Sequence, residues 1–262
     1  MDQEVIRVGE RPRAFVAVHG PDAEDYLQRM LSNDVTALSV GESCEALLLT
    51  PKARVIAPMR VFRRAADDFL LLTEPDLGET LRDELVRMRF AAKAEIELEE
   101  HRSYVLLGGA DGGIPNDDYG VPGSEILDAE PPSDAPRVSD EDLEALRIEA
   151  GTPRYGKEID ERVLPAEAGL VERAASLTKG CYPGQEPIAR LHYRGHANRG
   201  LRVLDVAGSQ PGDELVWEGK VVGRVTSAAS DVALAYVRNE VPDDAVLEVA
   251  GAEGRHARMR PA

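Results

Sequence analysis

The sequence predicts an α+β fold that ends in a small β-barrel. Three observations carry this: a one-sided apolar stripe after Pro21-Asp22, short β-type runs from Glu45 to Thr73, and five closely spaced strand-like runs beyond Gly200. A chain of 262 residues sits near the size at which a single core divides, so one large or two to three small units are expected. A boundary near Asn198 to Gly200 separates a region over 1–198 from a C-terminal barrel over 199–262.

Residues Arg13 to Val18 alternate around Phe15 as a strand, and Pro21-Asp22 then opens a helix. Its residues Ala23, Tyr26, Leu27, Met30 and Leu31 share one stripe, while Asp25, Gln28 and Arg29 face away. Runs over Glu45 to Thr50, Val55 to Phe62 and Phe69 to Thr73 read as an antiparallel meander. Leu77, Leu81, Leu85 and Met88 mark a second helix, followed by strands near Glu95 to Leu98 and Tyr104 to Leu107. Gly108 to Pro136, rich in Gly, Pro and Asp, reads as a long surface connection, so an α+β lobe is expected over about 43–136. Ser139 with Asp142 fits the start of a helix running to Ala150. Beyond Gly200, the runs 201–206, 214–217, 221–226, 232–237 and 245–249 suggest the barrel.

The formal charge is −17, from 31 Lys and Arg against 48 Asp and Glu, which argues against general binding of polyanions. No apolar run approaches the roughly 18 residues of a membrane span, and the first ten residues lack a basic-then-apolar leader; a cytoplasmic protein with no membrane contact is expected. Two cysteines, Cys44 and Cys181, are too few for a disulfide framework or a four-thiolate metal site, and no metal-ligand set is expected. Cys44, inside a strand-like run, reads as inert.

Charge is unevenly spread. From Lys179 to Arg202 the chain carries five cations (Lys179, Arg190, Arg194, Arg199 and Arg202) against Glu186 alone, a strip that can hold an anion. Within it, Tyr182-Pro183-Gly184-Gln185 has Pro and Gly at the central positions of a type II turn, which places Cys181 beside a tight bend. Lys179, two residues before Cys181, and a helix start after Gly184 would both favour its thiolate.

The run K-G-C-Y-P-G-Q-E-P-I-A-R resembles the signature of the folate-binding YgfZ-type proteins, relatives of the glycine-cleavage aminomethyltransferase or T-protein. D-A-E-D-Y-L-Q-R-M-L-S-N-D-V, L-L-L-T-P-K-A-R-V-I, R-I-E-A-G-T-P-R-Y-G-K-E-I-D, L-P-A-E-A-G-L and V-G-R-V-T-S resemble further blocks of that family in order, over nearly the whole chain. The resemblance implies a three-lobed fold around a central channel that folate enters, completed by the C-terminal barrel. It implies tetrahydrofolate or a derivative as cofactor, and a role in iron-sulfur cluster assembly or repair that supports enzymes modifying tRNA. Cys181, with Lys179, would be the reactive centre. Glu167 would bind the pterin's N–H groups, Tyr155, Glu158 and Gln185 would belong to the same folate site, and Arg190 or Arg194 would face the glutamate tail. A single thiol cannot hold a cluster, so a transient cluster would need a partner, and client proteins or assembly factors are the expected partners besides folate, with at most a weak tRNA contact.

The chain departs from the aminomethyltransferases where they carry an aspartate in the early hairpin: here stand Ala57, Pro58 and Met59. Methylene transfer is therefore not expected unless Asp67 or Asp68 reaches in. The alternative function is a folate-dependent one-carbon transferase with altered catalytic residues. A cysteine hydrolase pairing Cys181 with His192 or His196 is a third reading, with no oxyanion-hole marker to support it.

Overall fold

The computed structural model describes residues 6–109, 112–252 and 254–261. The first five residues of the stretch read as lacking a leader lie outside them. The apolar stripe after Asp22 forms α1 (Ala23–Met30), with Ala23, Tyr26, Leu27 and Met30 buried. With α2 (Gly78–Met88), which buries Leu81 and Leu85, it covers one face of a five-stranded antiparallel sheet. That sheet contains β2 (Ala14–His19), β3 (Ser43–Leu49), β4 (Val55–Ala65), β5 (Asp68–Thr73) and β6 (Glu95–Glu99), in the order β3-β4-β5-β2-β6. Successive strand residues point to opposite faces. Val16, Val18 and Leu71 therefore pack under the helices, while Phe15, Leu70 and Leu72 pack the other way with Ile114.

Ile114 belongs to a second sheet, of β1 (Arg7–Glu10), β7 (Ser103–Leu107), β8 (Ile114–Asn116) and β9 (Gly123–Leu127), in the order β1-β7-β9-β8. The segment 108–136 is thus not one long surface connection; it contributes two strands. The expected lobe over 43–136 is divided between two sheets, each completed by an N-terminal strand. Gly123 explains the misreading: it sits inside β9, where a Cβ would lie 2.3 Å from the Leu106 carbonyl oxygen on β7. Glycine here permits close strand approach rather than marking a turn.

Ser139 caps α3 (Asp140–Glu149) as its spacing indicates, its hydroxyl accepting from the Asp142 amide. Ile148 of α3 packs on Val232 and Leu234 of the C-terminal barrel. After the short α4 (Val171–Ala174) and α5 (Gln185–Arg194) come β10 (Arg199–Asp205), β11 (Glu214–Trp217), β12 (Lys220–Ala229), β13 (Val232–Arg238) and β14 (Val246–Val249). A sixth strand, β15 (His256–Met259), closes the barrel by pairing with both β14 and β10. Its four residues H-A-R-M alternate correctly, but the run is too short to stand out in the sequence. Among the described residues, no helix is long and apolar enough to cross a membrane.

Candidate functional site

The segment joining α4 to α5 is stitched to the five-stranded sheet. The Ser176 amide donates to the Ser32 carbonyl, while the Ser32 hydroxyl donates to the Ala174 carbonyl and accepts from the Leu47 amide. Lys179 crosses the same seam, its Nζ donating to the carbonyls of Leu31 at 2.8 Å and Asn33 at 2.6 Å. Tyr182 is buried on the other side of Cys181, with Lys179 Nζ 5.4 Å from its ring centre.

The type II turn forms as read from the sequence. Gly184 adopts φ 84° and ψ 0°, and the Gln185 amide donates to the Tyr182 carbonyl. A Cβ on Gly184 would lie 2.8 Å from the Thr50 carbonyl oxygen, so both conformation and space require glycine. The Gln185 side chain closes the loop by donating to the Lys179 carbonyl at 3.3 Å. Gln185 is thereby a brace of the loop. Cys181 is left exposed between two anchored neighbours.

Lys179 is used differently from the expectation that it primes Cys181. Its ammonium is spent on two backbone carbonyls across the seam. Burial lowers it to about 8, against the attraction of Asp34 and Cys44. Cys44 is half-buried on β3, and burial pushes its thiol up to about 11 although Arg60 and Lys179 work the other way. Such a thiol is inert at neutral pH, as read.

Beside the loop, α5, the β3–β4 turn and residues 164–166 enclose a recess of about 530 Å³. Its floor is apolar, with Ala53, Leu164, Pro165 and Ile188, and its lining cations are Lys52, Arg54, Arg190 and Arg194, with no acid. Arg190 and Arg194 are exposed, and neither makes an ion pair among the described residues. Glu167 turns away from this recess: it accepts from the Leu164 amide and pairs with Arg199 at 3.1 Å. Arg199 in turn lies over the Tyr236 ring at 4.6 Å.

Glu158 is only 1% exposed, and its carboxylate accepts from Arg147, the Ser227 hydroxyl and the Arg154 amide. Those bonds tie α3 to the barrel and leave no face for a pterin, contrary to the expected folate role. Tyr155 is half-buried between two cores, apart from the α5 recess. At the centre, where the two sheets meet α3 and α4, the free space is about 70 Å³, walled by six arginines and too small for a bicyclic ring. Pro58 and Met59 line it, but Asp67 and Asp68 do not. Asp67 is exposed at the β4–β5 turn, and Asp68 is held by Arg64 at 2.8 Å, so neither replaces the absent hairpin aspartate. His192 packs on Tyr193 and makes no hydrogen bond to Cys181. The arginine wall escapes sequence reading because its members are scattered singly; the one signal is Arg60, the lone cation within the apolar run from Val55 to Phe62.

Two sheets and a closed barrel, joined around a tight centre, define a T-protein-like fold. The crystal structure of glycine cleavage system aminomethyltransferase T from Bartonella henselae superposes with a TM-score of 0.82 at 20% identity, covering 99% of this chain and 86% of that one. No family model matches the chain. An uncharacterized protein from Haemophilus influenzae is 30% identical over 228 residues, covering 82% of this chain and 81% of that protein. A tRNA-modifying protein YgfZ from Photorhabdus laumondii is 26% identical over 94% of this chain and 88% of its own length. The chain belongs to the YgfZ-type family, related to the T-protein.

Proposed function

We propose that this protein is a folate-binding accessory factor in iron-sulfur cluster assembly or repair, supporting iron-sulfur enzymes that include those modifying tRNA, with Cys181 as its reactive thiol. The observation that carries the reading is a single exposed thiol on a loop anchored at Lys179 and Tyr182, leading directly into a helix that edges an apolar, acid-free recess. A ring system suits that floor, and Arg190 with Arg194 suits the carboxylates of a folate tail. Cys181 supplies one thiolate where a cluster needs about four, so any cluster is transient and shared with a client or assembly protein. Methylene transfer is disfavoured because Pro58 and Met59 stand where a carboxylate is needed. Contact with tRNA is at most local, since Lys179 and Arg199 are already engaged.

Calorimetric titration with tetrahydrofolate tests the recess. The Arg190→Ala/Arg194→Ala double variant is expected to bind at least tenfold more weakly than the wild type, and unchanged affinity removes the recess from the reading. Cys181→Ser is expected to bind tetrahydrofolate normally yet fail to restore iron-sulfur enzyme activity in cells lacking the native protein. Full restoration by Cys181→Ser would end the thiol role.

A further inference from the structure

The short connection from β6 to β7 carries a histidine held on both of its ring nitrogens. His101 Nδ1 lies 2.6 Å from Asp128 Oδ2, and its Nε2 lies 2.8 Å from Glu99 Oε2. Glu99 closes β6 of the five-stranded sheet, whereas Asp128 directly follows β9 of the second sheet. One imidazole thus spans the seam between the two sheets. Its ring also packs edge-on against Phe15, at 5.0 Å between ring centres, and Phe15 belongs to the buried cluster in which the sheets meet.

Counting donors fixes the protonation state this arrangement needs. Asp128 is held below the ordinary carboxylate range first by the His101 hydrogen bond and then by the Arg102 amide. Glu99 is held below it chiefly by the Arg64 guanidinium. Both carboxylates therefore only accept, and both ring nitrogens must donate, which the imidazolium alone can do. Burial by itself lowers the imidazole, but the hydrogen bonds to Asp128 and Glu99 outweigh it and set its pKa above the ordinary 6.5. The other charged groups nearby are committed elsewhere or stand apart. Arg64 is taken by Glu99 and Asp68, and Arg13 by Glu125. Glu100, Arg102 and Glu130 line the adjoining recess of about 590 Å³ with Tyr104, and among the described residues none of their side chains hydrogen-bonds the ring.

When the imidazolium loses its proton, one nitrogen turns a lone pair on a carboxylate and that contact becomes repulsive. The Asp128 side of the ring gives way. The Asp128 side chain is 56% exposed, so water can replace the ring there, while Glu99, 25% exposed and fixed by Arg64 at 2.6 Å, keeps the remaining N–H. We propose that His101 is a pH-sensitive clasp on the seam between the two sheets, shut as the imidazolium on Glu99 and Asp128 and opened at Asp128 by deprotonation. The recess beside it gives the released carboxylate and entering water a place to go. His101 favours the fold while protonated, so its contribution is complete below 6.5 and fades as pH rises through the raised value. The clasp involves neither Cys181 nor the α5 recess and stands apart from the folate reading.

NMR titration of the full chain, following the His101 ring and the Arg102 amide, tests the clasp. That amide donates to Asp128 Oδ1 at 2.9 Å, so it reports whether the carboxylate stays in place. The His101 midpoint is expected above 6.5 in the wild type and lower in Asp128→Asn. Across the wild-type midpoint, exchange of the Arg102 amide with water, corrected for its intrinsic pH dependence, is expected to rise about tenfold, the scale of one hydrogen bond to a charged group. His101→Arg, whose guanidinium donates throughout this range, is expected to remove that step. A His101 midpoint at or below 6.5 would overturn the proposal. So would an Arg102 amide whose exchange ignores the midpoint, or one that shows the same step in His101→Arg.

Discussion

The arginines at the centre and those on α5 carry the same charge in opposite settings. Arg147 is 2% exposed and holds Glu158, which is fully buried, at 3.0 Å, joining α3 to a carboxylate beyond its own helix and, through Ser227, to the barrel. Arg190 and Arg194 are exposed beside an apolar floor, with no acid in their recess, in a chain whose net charge is −17. Where acids outnumber bases so strongly, a cation left without one is the less expected arrangement. The contrast separates charge that holds the three parts together from charge that remains free to meet a ligand.

The largest effect should come from breaking the first kind. Arg147→Met leaves Glu158 buried without its counter-charge, and is expected to cost about 3–5 kcal/mol in denaturant unfolding. Arg194→Met, on the exposed face of α5, is expected to change stability by less than about 0.5 kcal/mol. Similar costs for the two would erase the distinction between the regions. Next in size, Gly184→Ala forces a Cβ into a left-handed conformation and against the Thr50 carbonyl, so about 2 kcal/mol is expected to be lost. The same substitution sharpens the comparison by loosening the Cys181 loop while leaving the arginine centre intact. Faster alkylation of Cys181 in Gly184→Ala than in the wild type would register that loosening.

The sequence made the second region more legible than the first. Tyr182-Pro183-Gly184-Gln185 announces its turn locally, because Pro and Gly preset the dihedrals that the structure adopts. The Ser139 cap and the apolar stripe of α1 are local signals of the same kind. The centre is built from pairs remote in sequence, such as Arg13 with Glu125, and no spacing rule connects them. Strands β8 and β9 were hidden because Pro115 and Gly123 read as loop residues until their neighbours on other strands are known. Among the folate candidates, Glu158 and Glu167 are both consumed by arginines, and only a three-dimensional arrangement reveals that a carboxylate is already taken.

Lys179 stands between the two regimes, half-buried and held by neutral carbonyls rather than by an acid, and it gives the smallest but most specific effect. Burial, opposed by Asp34, brings its pKa in the folded chain to about 8 from an ordinary 10.5. Between those values the unfolded chain holds the proton more tightly, so this group makes stability rise as pH increases from 8 to 10.5 and contributes no slope well below 8. Cys44 works in the opposite sense, because burial raises its thiol from 9.0 to about 11 and the unfolded chain releases that proton first. Stability from Cys44 therefore falls across pH 9 to 11, and the two slopes partly cancel in the wild type. Replacing Lys179 with Met is expected to remove the rising limb and expose a net decline above pH 9, while Cys44→Ala is expected to reveal the rise. The gain is modest because the ammonium is only half-buried and water screens it. Parallel curves for wild type and Lys179→Met between pH 8 and 10.5 would mean that the ammonium is as well accommodated in the seam as in water, and that Lys179 belongs with the free cations of α5.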